Sequence, residues 1–138
     1  VSKLPVKQNK TKVTNRYFNY LYVNAGKYTY VHKRTGNDIW KNLFELPLIE
    51  TSQPLTEDEL IASAEFRNLI ADGESPVIKM SLQGVKHILS HRIIYANFYE
   101  VALPESTCSF SQYKRIRKED IDQYAISRLV QIFLEKHV

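Results

Sequence analysis

The sequence predicts an α/β domain, an α+β sandwich with a mixed β-sheet and flanking helices. Three observations carry that expectation. Aromatic and β-branched residues cluster in strand-like runs over 16–31 and 77–103. Two segments, beginning near Leu60 and Lys118, place apolar residues at helical spacing instead. The elements follow as hairpin, strand, helix, about three strands and helix, an order that packs helices onto one sheet. At 138 residues the chain fits one domain with a proper core.

The first fourteen residues are polar, basic and interrupted by Pro5, and read as an interdomain linker. The domain proper is expected over 15–138. Tyr17, Phe18, Tyr20, Tyr22 and Val23 run into Asn24-Ala25-Gly26-Lys27, and Tyr28, Tyr30 and Val31 follow, which predicts a hairpin around a glycine turn. Residues 35–38 carry loop chemistry. An apolar stretch over 39–49 is expected to be a short strand ending near Pro47.

Thr56 and Glu59 form a capping box that opens a helix with Leu60, Ile61, Ala64, Leu69 and Ile70 on its apolar side, closed by Asp72-Gly73. A strand over 77–82, a turn at Gln83-Gly84 and a β-rich run over 85–103 ending at Pro104 follow. Residues 109–116 read as another strand. Residues 118–138 read as a helix with Ile121, Ala125, Leu129, Ile132 and Phe133 on its stripe.

Composition excludes several classes. No apolar run approaches the roughly 18 residues of a membrane-spanning helix, and the N-terminus is neither a signal peptide nor a transit peptide. The single Cys108 forbids an internal disulfide and any cysteine-based metal cage. A reducing compartment is expected. The net charge of +4 points to an anionic partner, and Lys3, Lys7, Lys10, Lys12 and Arg16 precede the first acid. That basic strap reads equally well as a phosphate contact or a solvated linker. Of the nine tyrosines, Tyr17, Tyr20, Tyr22, Tyr28 and Tyr30 mix both faces of the hairpin, so they read as core packing rather than one stacking platform.

Two segments carry the functional signal. The first is Asp38-Ile39-Trp40-Lys41-Asn42-Leu43-Phe44-Glu45-Leu46-Pro47, and the second is His87-Ile88-Leu89-Ser90-His91. Structurally, the first reads as an aromatic strand of the core and the second as a polar turn. Two histidines four apart chelate a metal only on a helix with a third ligand, and this neighbourhood is β-rich, so no metal is expected.

In this order the segments resemble the C-terminal, Nudix-like domain of bacterial A/G-specific adenine DNA glycosylases. That family carries Gly-Leu-Trp-x-Gly-Leu-Trp-Glu-Phe-Pro, where Trp40, Leu43, Glu45 and Pro47 match and Ile39, Phe44 and Leu46 are conservative. Asp38 and Asn42 replace its glycines, and Asp38 brings a negative charge where the family has none. His87, Leu89, Ser90 and His91 resemble the family's His-x-Phe-Ser/Thr-His element, with Leu89 in place of Phe. Tyr124-Ala125-Ile126-Ser127-Arg128-Leu129 resembles its Tyr-Ala-x-Pro/Ser-x-Leu signature, a packing element.

The resemblance implies a Nudix-like fold and a non-catalytic role in reading 8-oxoguanine opposite adenine in duplex DNA. Ser90 would meet the lesion, His91 would shape the turn or touch the backbone, and Leu89 and His87 would support them. Lys86, Asn37, Lys41 and Lys12 are the expected backbone contacts. The same resemblance implies an upstream catalytic domain holding an iron–sulfur cluster, with no cofactor in this chain. It also implies a cytoplasmic, nucleoid-associated protein.

Two alternatives follow from the fold. A Nudix pyrophosphohydrolase needs Arg-Glu-x-x-Glu-Glu-x-Gly to hold Mg²⁺. The helix here has its acids Glu57, Asp58 and Glu59 only in the first turn, where the helix dipole favours them. A protein-interaction module on the same fold is the other.

Overall fold

A computed structural model describes residues 13–35 and 38–137. Its centre is a mixed seven-stranded sheet in which β1 (Thr14–Ala25), β2 (Tyr28–Lys33), β3 (Phe44–Glu45), β5 (Val77–Leu89) and β6 (Arg92–Leu103) lie in the order β3-β2-β1-β6-β5. β4 (Leu48–Thr51) pairs with β1 and β7 (Lys114–Arg117) with β2. β1 and β6 run parallel from Thr14↔Arg92 to Ala25↔Leu103. That long parallel pair buries both faces of the sheet, which explains its near-continuous apolar sequence.

Parity divides the core. Phe18, Tyr20 and Tyr22 of β1 and Ile94, Ala96 and Phe98 of β6 face α3 (Arg128–His137), which contributes Leu129, Val130 and Phe133. Leu21, Val23, Tyr99 and Val101 face α1 (Glu57–Ala62) and α2 (Ala64–Leu69) through Leu60, Phe66 and Leu69. On the α3 side the rings of Tyr20, Phe98 and Phe133 stack in series, at 5.0 and 4.5 Å. Each such contact adds about 0.5–1.5 kcal/mol beyond burial alone. Most tyrosines of β1 and β2 are accordingly buried.

Several elements depart from expectation, each for a local reason. The first hairpin turns at Gly26 (φ +64°), but its strands share only Ala25↔Tyr28 in register. β4 takes the same edge of β1 at residues 17–20, so β2 splays away to pair with β7 and β3. The apolar stretch over 39–49 is not one strand. It opens with a turn in which Trp40 (φ +57°) and Asn42 (φ +72°) adopt left-handed backbone, and β3 and β4 follow.

The single helix expected between the Thr56 capping box and Asp72-Gly73 is broken at Ser63. That residue is extended (φ −70°, ψ 148°), its hydroxyl donating to the Leu60 carbonyl and accepting from the Phe66 amide. A serine that caps the next turn competes with helix continuation. Gln83-Gly84 is a bulge rather than a turn: β5 continues through it with register shifts, and Gly84 (φ +68°) donates its amide to Asn97 Oδ1. The real turn comes later, at Ser90-His91.

The strand expected over 109–116 shrinks to β7. Phe110 (φ +59°) donates its amide to Leu69, and Tyr113 donates to Phe110, folding that segment into turns. The helix expected over 118–138 is a 3-10 turn at Lys118–Gln123 and then α3. Between them Phe44 donates to Ala125 and Ser127 donates to Phe44, so the Tyr-Ala-Ile-Ser segment is extended against β3. Among the described residues no helix is long and apolar enough to cross a membrane.

Candidate nucleic-acid interface

Residues 85–99 contain no acid, and their tip is where the second motif falls. Leu89 pairs with Arg92, leaving Ser90 and His91 as a two-residue loop between β5 and β6. Ser90 has φ +20°, a positive value that two-residue hairpin loops demand and that serine adopts reluctantly. The turn is pinned from outside, since the Thr14 amide donates to the His91 carbonyl at 2.9 Å. The start of β1 is thereby tied to this loop. Both Ser90 and His91 are exposed. The Ser90 hydroxyl makes no hydrogen bond to another described residue.

Strand alternation sorts the neighbours. His87 and Leu89 point to the α3 side, half-buried, where Leu89 packs against the core and His87 meets the Trp40 ring at 5.7 Å. Lys86 and Ile88 point to the opposite side and are exposed, Ile88 at 66%. The apolar residue available to a partner is therefore Ile88. Leu89, which the resemblance placed in support of the turn, is half-buried, and alternation from buried Ile94, the partner of His87, is the signal that distinguishes the two. Lys41 is exposed in the 38–43 turn. Asn37 and Lys12 lie outside the described residues.

The first motif supports this turn from behind. Trp40 packs edge-on to Phe18 at 6.3 Å and to His87, so it links the core to β5 just before the loop. Its own turn is closed by Asn42 N to Arg34 O, Leu43 N to Trp40 O and Arg34 N to Leu43 O. Asn42 occupies its left-handed position as asparagine can.

Asp38 directs its charge at two arginines. It accepts two hydrogen bonds from Arg16 (both 2.9 Å) and one from Arg34 (2.8 Å). The Arg16 contacts hold its carboxyl well below the ordinary carboxylate range. Glu50 and Asp38 together hold the Arg16 guanidinium ionised, far above its already high ordinary value. The negative charge that distinguishes this chain from the family pattern is thus answered within the protein.

Glu45 is fully buried and accepts from Tyr20 Oη (2.7 Å) and Arg34 (2.6 Å), with His32 Nε2 at 3.2 Å. Burial first, and the Glu45 charge second, push the Tyr20 hydroxyl well up, so it stays a donor. The two arginines also lie over the Phe18 ring, at 5.1 and 5.8 Å. Arg16 and Arg34 carry no signal in either motif. Only the fold brings them to Asp38 and Glu45.

The first-turn acids of α1 are engaged structurally. Glu57 accepts from the Met80 amide at 3.0 Å, and Glu59 completes the capping box by accepting from the Thr56 amide at 2.8 Å. Among the described residues no three His, Cys, Asp or Glu side chains gather where they could hold a metal ion.

Together these features define a mixed α/β domain of the Nudix fold. The family model for the NUDIX domain matches residues 19–136, and the chain belongs to that family. No curated protein matches its sequence significantly. Among solved structures it is similar to the C-terminal domain of mouse MUTYH, determined in complex with human PCNA. The TM-score there is 0.64 at 18% identity, over 88% of each chain. It is also similar to the MutT protein of Methanosarcina mazei Go1 (TM-score 0.59, 13% identity, 90% of this chain and 93% of that one). The ORF135 protein of E. coli is a third (0.54, 13%, 91% and 93%). At these identities the likeness is one of fold.

Proposed function

We propose that this chain is the lesion-reading domain of an A/G-specific adenine DNA glycosylase, non-catalytic by itself, that helps select adenine opposite 8-oxoguanine. The observation that carries the reading is the Ser90-His91 turn. It presents an exposed hydroxyl, unbonded within the described residues, at the acid-free tip of a hairpin and flanked by Lys86 and Arg92. The similarity of the whole fold to the mouse MUTYH domain supports it.

The chemistry suits the lesion. Guanine shows N7 and O6 acceptors in the major groove, whereas 8-oxoguanine replaces the first with an N7–H donor and adds O8. A hydroxyl accepts from the one and donates to the other. Lys86, Arg92 and Lys41 would neutralise phosphates without reading sequence. The missing catalytic part would flip and cleave the adenine, with its own iron–sulfur cluster; this chain has one exposed cysteine, Cys108, and no cluster ligand set. Selectivity is then the difference in affinity between two duplexes that share the target adenine.

The test is fluorescence anisotropy at low salt with duplexes carrying 8-oxoguanine or guanine opposite adenine. Ser90→Ala should reduce the preference for the lesion about fivefold, the equivalent of one hydrogen bond of roughly 1 kcal/mol. An unchanged preference would overturn the assignment to Ser90. Tight binding to a protein partner with no preference between duplexes would move the chain to the interaction-module class.

A further inference from the structure

The strand β7 leaves one edge of the sheet open. It pairs with β2 through Tyr28↔Arg117, Thr29↔Ile116, Tyr30↔Arg115 and Val31↔Lys114, and with no other strand among the described residues. The Lys118 amide donates to the Lys27 carbonyl, the next pair in that register, at 2.9 Å. Antiparallel pairs alternate between those that exchange hydrogen bonds and those that do not. Lys114, Ile116 and Lys118 therefore turn their backbone groups toward β2, and Arg115 and Arg117 turn theirs outward. On that outer side neither arginine's backbone bonds to another described residue.

We propose that an acidic, extended protein segment docks on this edge as an added strand. The edge lies at the far end of the sheet from the Ser90 turn. β1 runs between them, from Thr14, bonded to His91, to Ala25, whose partner Tyr28 pairs with Arg117. Its 12 residues span about 36 Å at roughly 3.3 Å each. The proposal does not rest on the lesion reading.

The edge carries concentrated charge. Lys114, Arg115, Arg117 and Lys118 surround one buried apolar residue, Ile116, and exposed Lys27 stands beside them in the hairpin turn. Neutral groups position most of these cations. Arg115 lies over the Tyr28 ring at 4.0 Å and donates to the Glu105 carbonyl at 2.9 Å. Lys114 lies over the Tyr124 ring at 5.6 Å, and Lys118 donates to Asn24 Oδ1 at 2.8 Å. Lys27 makes no ion pair with another described residue. The Glu105 carboxylate lies against Gly26 rather than on a cation. Among the described residues only Glu119 answers a charge here, 3.4 Å from Arg117, and both side chains are more than half exposed. Such a pair is weak. Arg16 and Arg34, by contrast, each meet carboxylates within 3 Å.

The geometry selects a peptide. Side chains alternate along a strand, so Arg115 and Arg117 flank one face of an added strand and Lys114 and Lys118 the other. A segment with acids on both faces meets cations on both. Its amides and carbonyls meet the outward carbonyls and amides of Arg115 and Arg117. A phosphate chain would find the cations but offers no N–H to those carbonyls. An open hollow of about 360 Å³ over Gly26, Lys27, Arg117, Lys118 and Glu119 continues the edge. Cations on a sheet edge deter unwanted pairing. Being of one sign, they leave an acidic strand as the partner they admit.

The experiment is an amide-shift titration of the whole chain at low salt with a blocked peptide, Glu-Thr-Glu-Glu-Thr-Glu. Saturable shifts over residues 114–118 are expected. They should weaken about tenfold when glutamine replaces glutamate in the peptide, and as much when alternate peptide amides are N-methylated. Arg117→Pro is the sharper arm. Arg117 has φ −72°, which proline adopts, and its amide faces away from β2, so the fold is kept. This variant should lose binding altogether, whereas Arg117→Gln, which removes only the charge, should weaken it about threefold.

Equal loss in the two variants, or an N-methylated peptide that binds as tightly as its parent, would reduce the edge to a charged surface and overturn the proposal. Tighter binding of an oligothymidylate of the same charge at the same residues would assign the edge to nucleic acid and overturn it as well. So would the absence of any shift over 114–118 with the acidic peptide.

Discussion

The two motif segments sit against each other, joined by the Trp40–His87 contact, yet they are treated oppositely. In residues 38–47 both carboxylates and the turn backbone are answered from inside: Asp38 by Arg16 and Arg34, Glu45 by Tyr20 and Arg34, the turn by its own hydrogen bonds. At the 86–92 tip the side chains of Lys86, Ser90, His91 and Arg92 are exposed. The hairpin is held chiefly by backbone, including the Thr14–His91 hydrogen bond. A rigid, internally satisfied support next to an unsatisfied tip is the arrangement expected of a recognition site on a scaffold. Matching a family pattern therefore carries two meanings here: the first segment matches because it supports, the second because it presents.

Substitutions should separate the two. The largest effect is expected from Glu45→Ala, which leaves the Arg34 head and the Tyr20 hydroxyl without their buried acceptor. Urea unfolding should show a loss of about 3–5 kcal/mol, and a loss below about 1 kcal/mol would place Glu45 outside the support. Trp40→Ala comes next. Trp40 is half-buried, so about 2 kcal/mol is expected, somewhat below a fully buried aromatic. His87 and Ser90 amide shifts should move with it, and if they stay put the support does not reach the turn.

At the tip, Ser90→Gly should be neutral or stabilising by up to about 1 kcal/mol, since glycine accepts the positive φ without strain. It should nonetheless lose the preference for the lesion, as Ser90→Ala does. A glycine variant that retains the preference would show that the backbone, not the hydroxyl, reads the base.

The smallest effect concerns pH. The folded carboxyl of Asp38 lies below its unfolded value near 3.9, so its contribution is fully present above about pH 5 and is lost as pH falls toward the folded value. Being partly exposed, the pair contributes modestly. Asp38→Asn should flatten the stability profile below about pH 4 and leave its slope above pH 6 unchanged. An identical acid slope in the variant would mean that Arg16 and Arg34 do not depend on Asp38.

What was legible in the sequence was local. The capping box at Thr56 and Glu59, the turn glycine Gly26 and the aromatic and β-branched runs of β1 and β6 all act within a few residues, and they placed the elements and the fold class. What escaped is nonlocal. Ser63 breaks a helix because its hydroxyl finds both neighbouring turns, and Gly84 is a bulge rather than a turn because Asn97, across the sheet, accepts its amide. Residues 124–127 leave the helix because β3 pairs with them. Within the site, the Ser90-His91 segment was legible as a motif. The Arg16–Asp38–Arg34 cluster and the outward face of Ile88 needed the strand pairings.

The most direct test of the reading turn is amide-shift mapping of the domain with two duplexes that differ only in 8-oxoguanine or guanine opposite adenine. Shifts at Ser90, His91 and Arg92 that are larger for the lesion, and lost in Ser90→Ala, are the predicted result. Identical shifts for both duplexes, or changes confined to surfaces away from residues 86–92, would contradict the account.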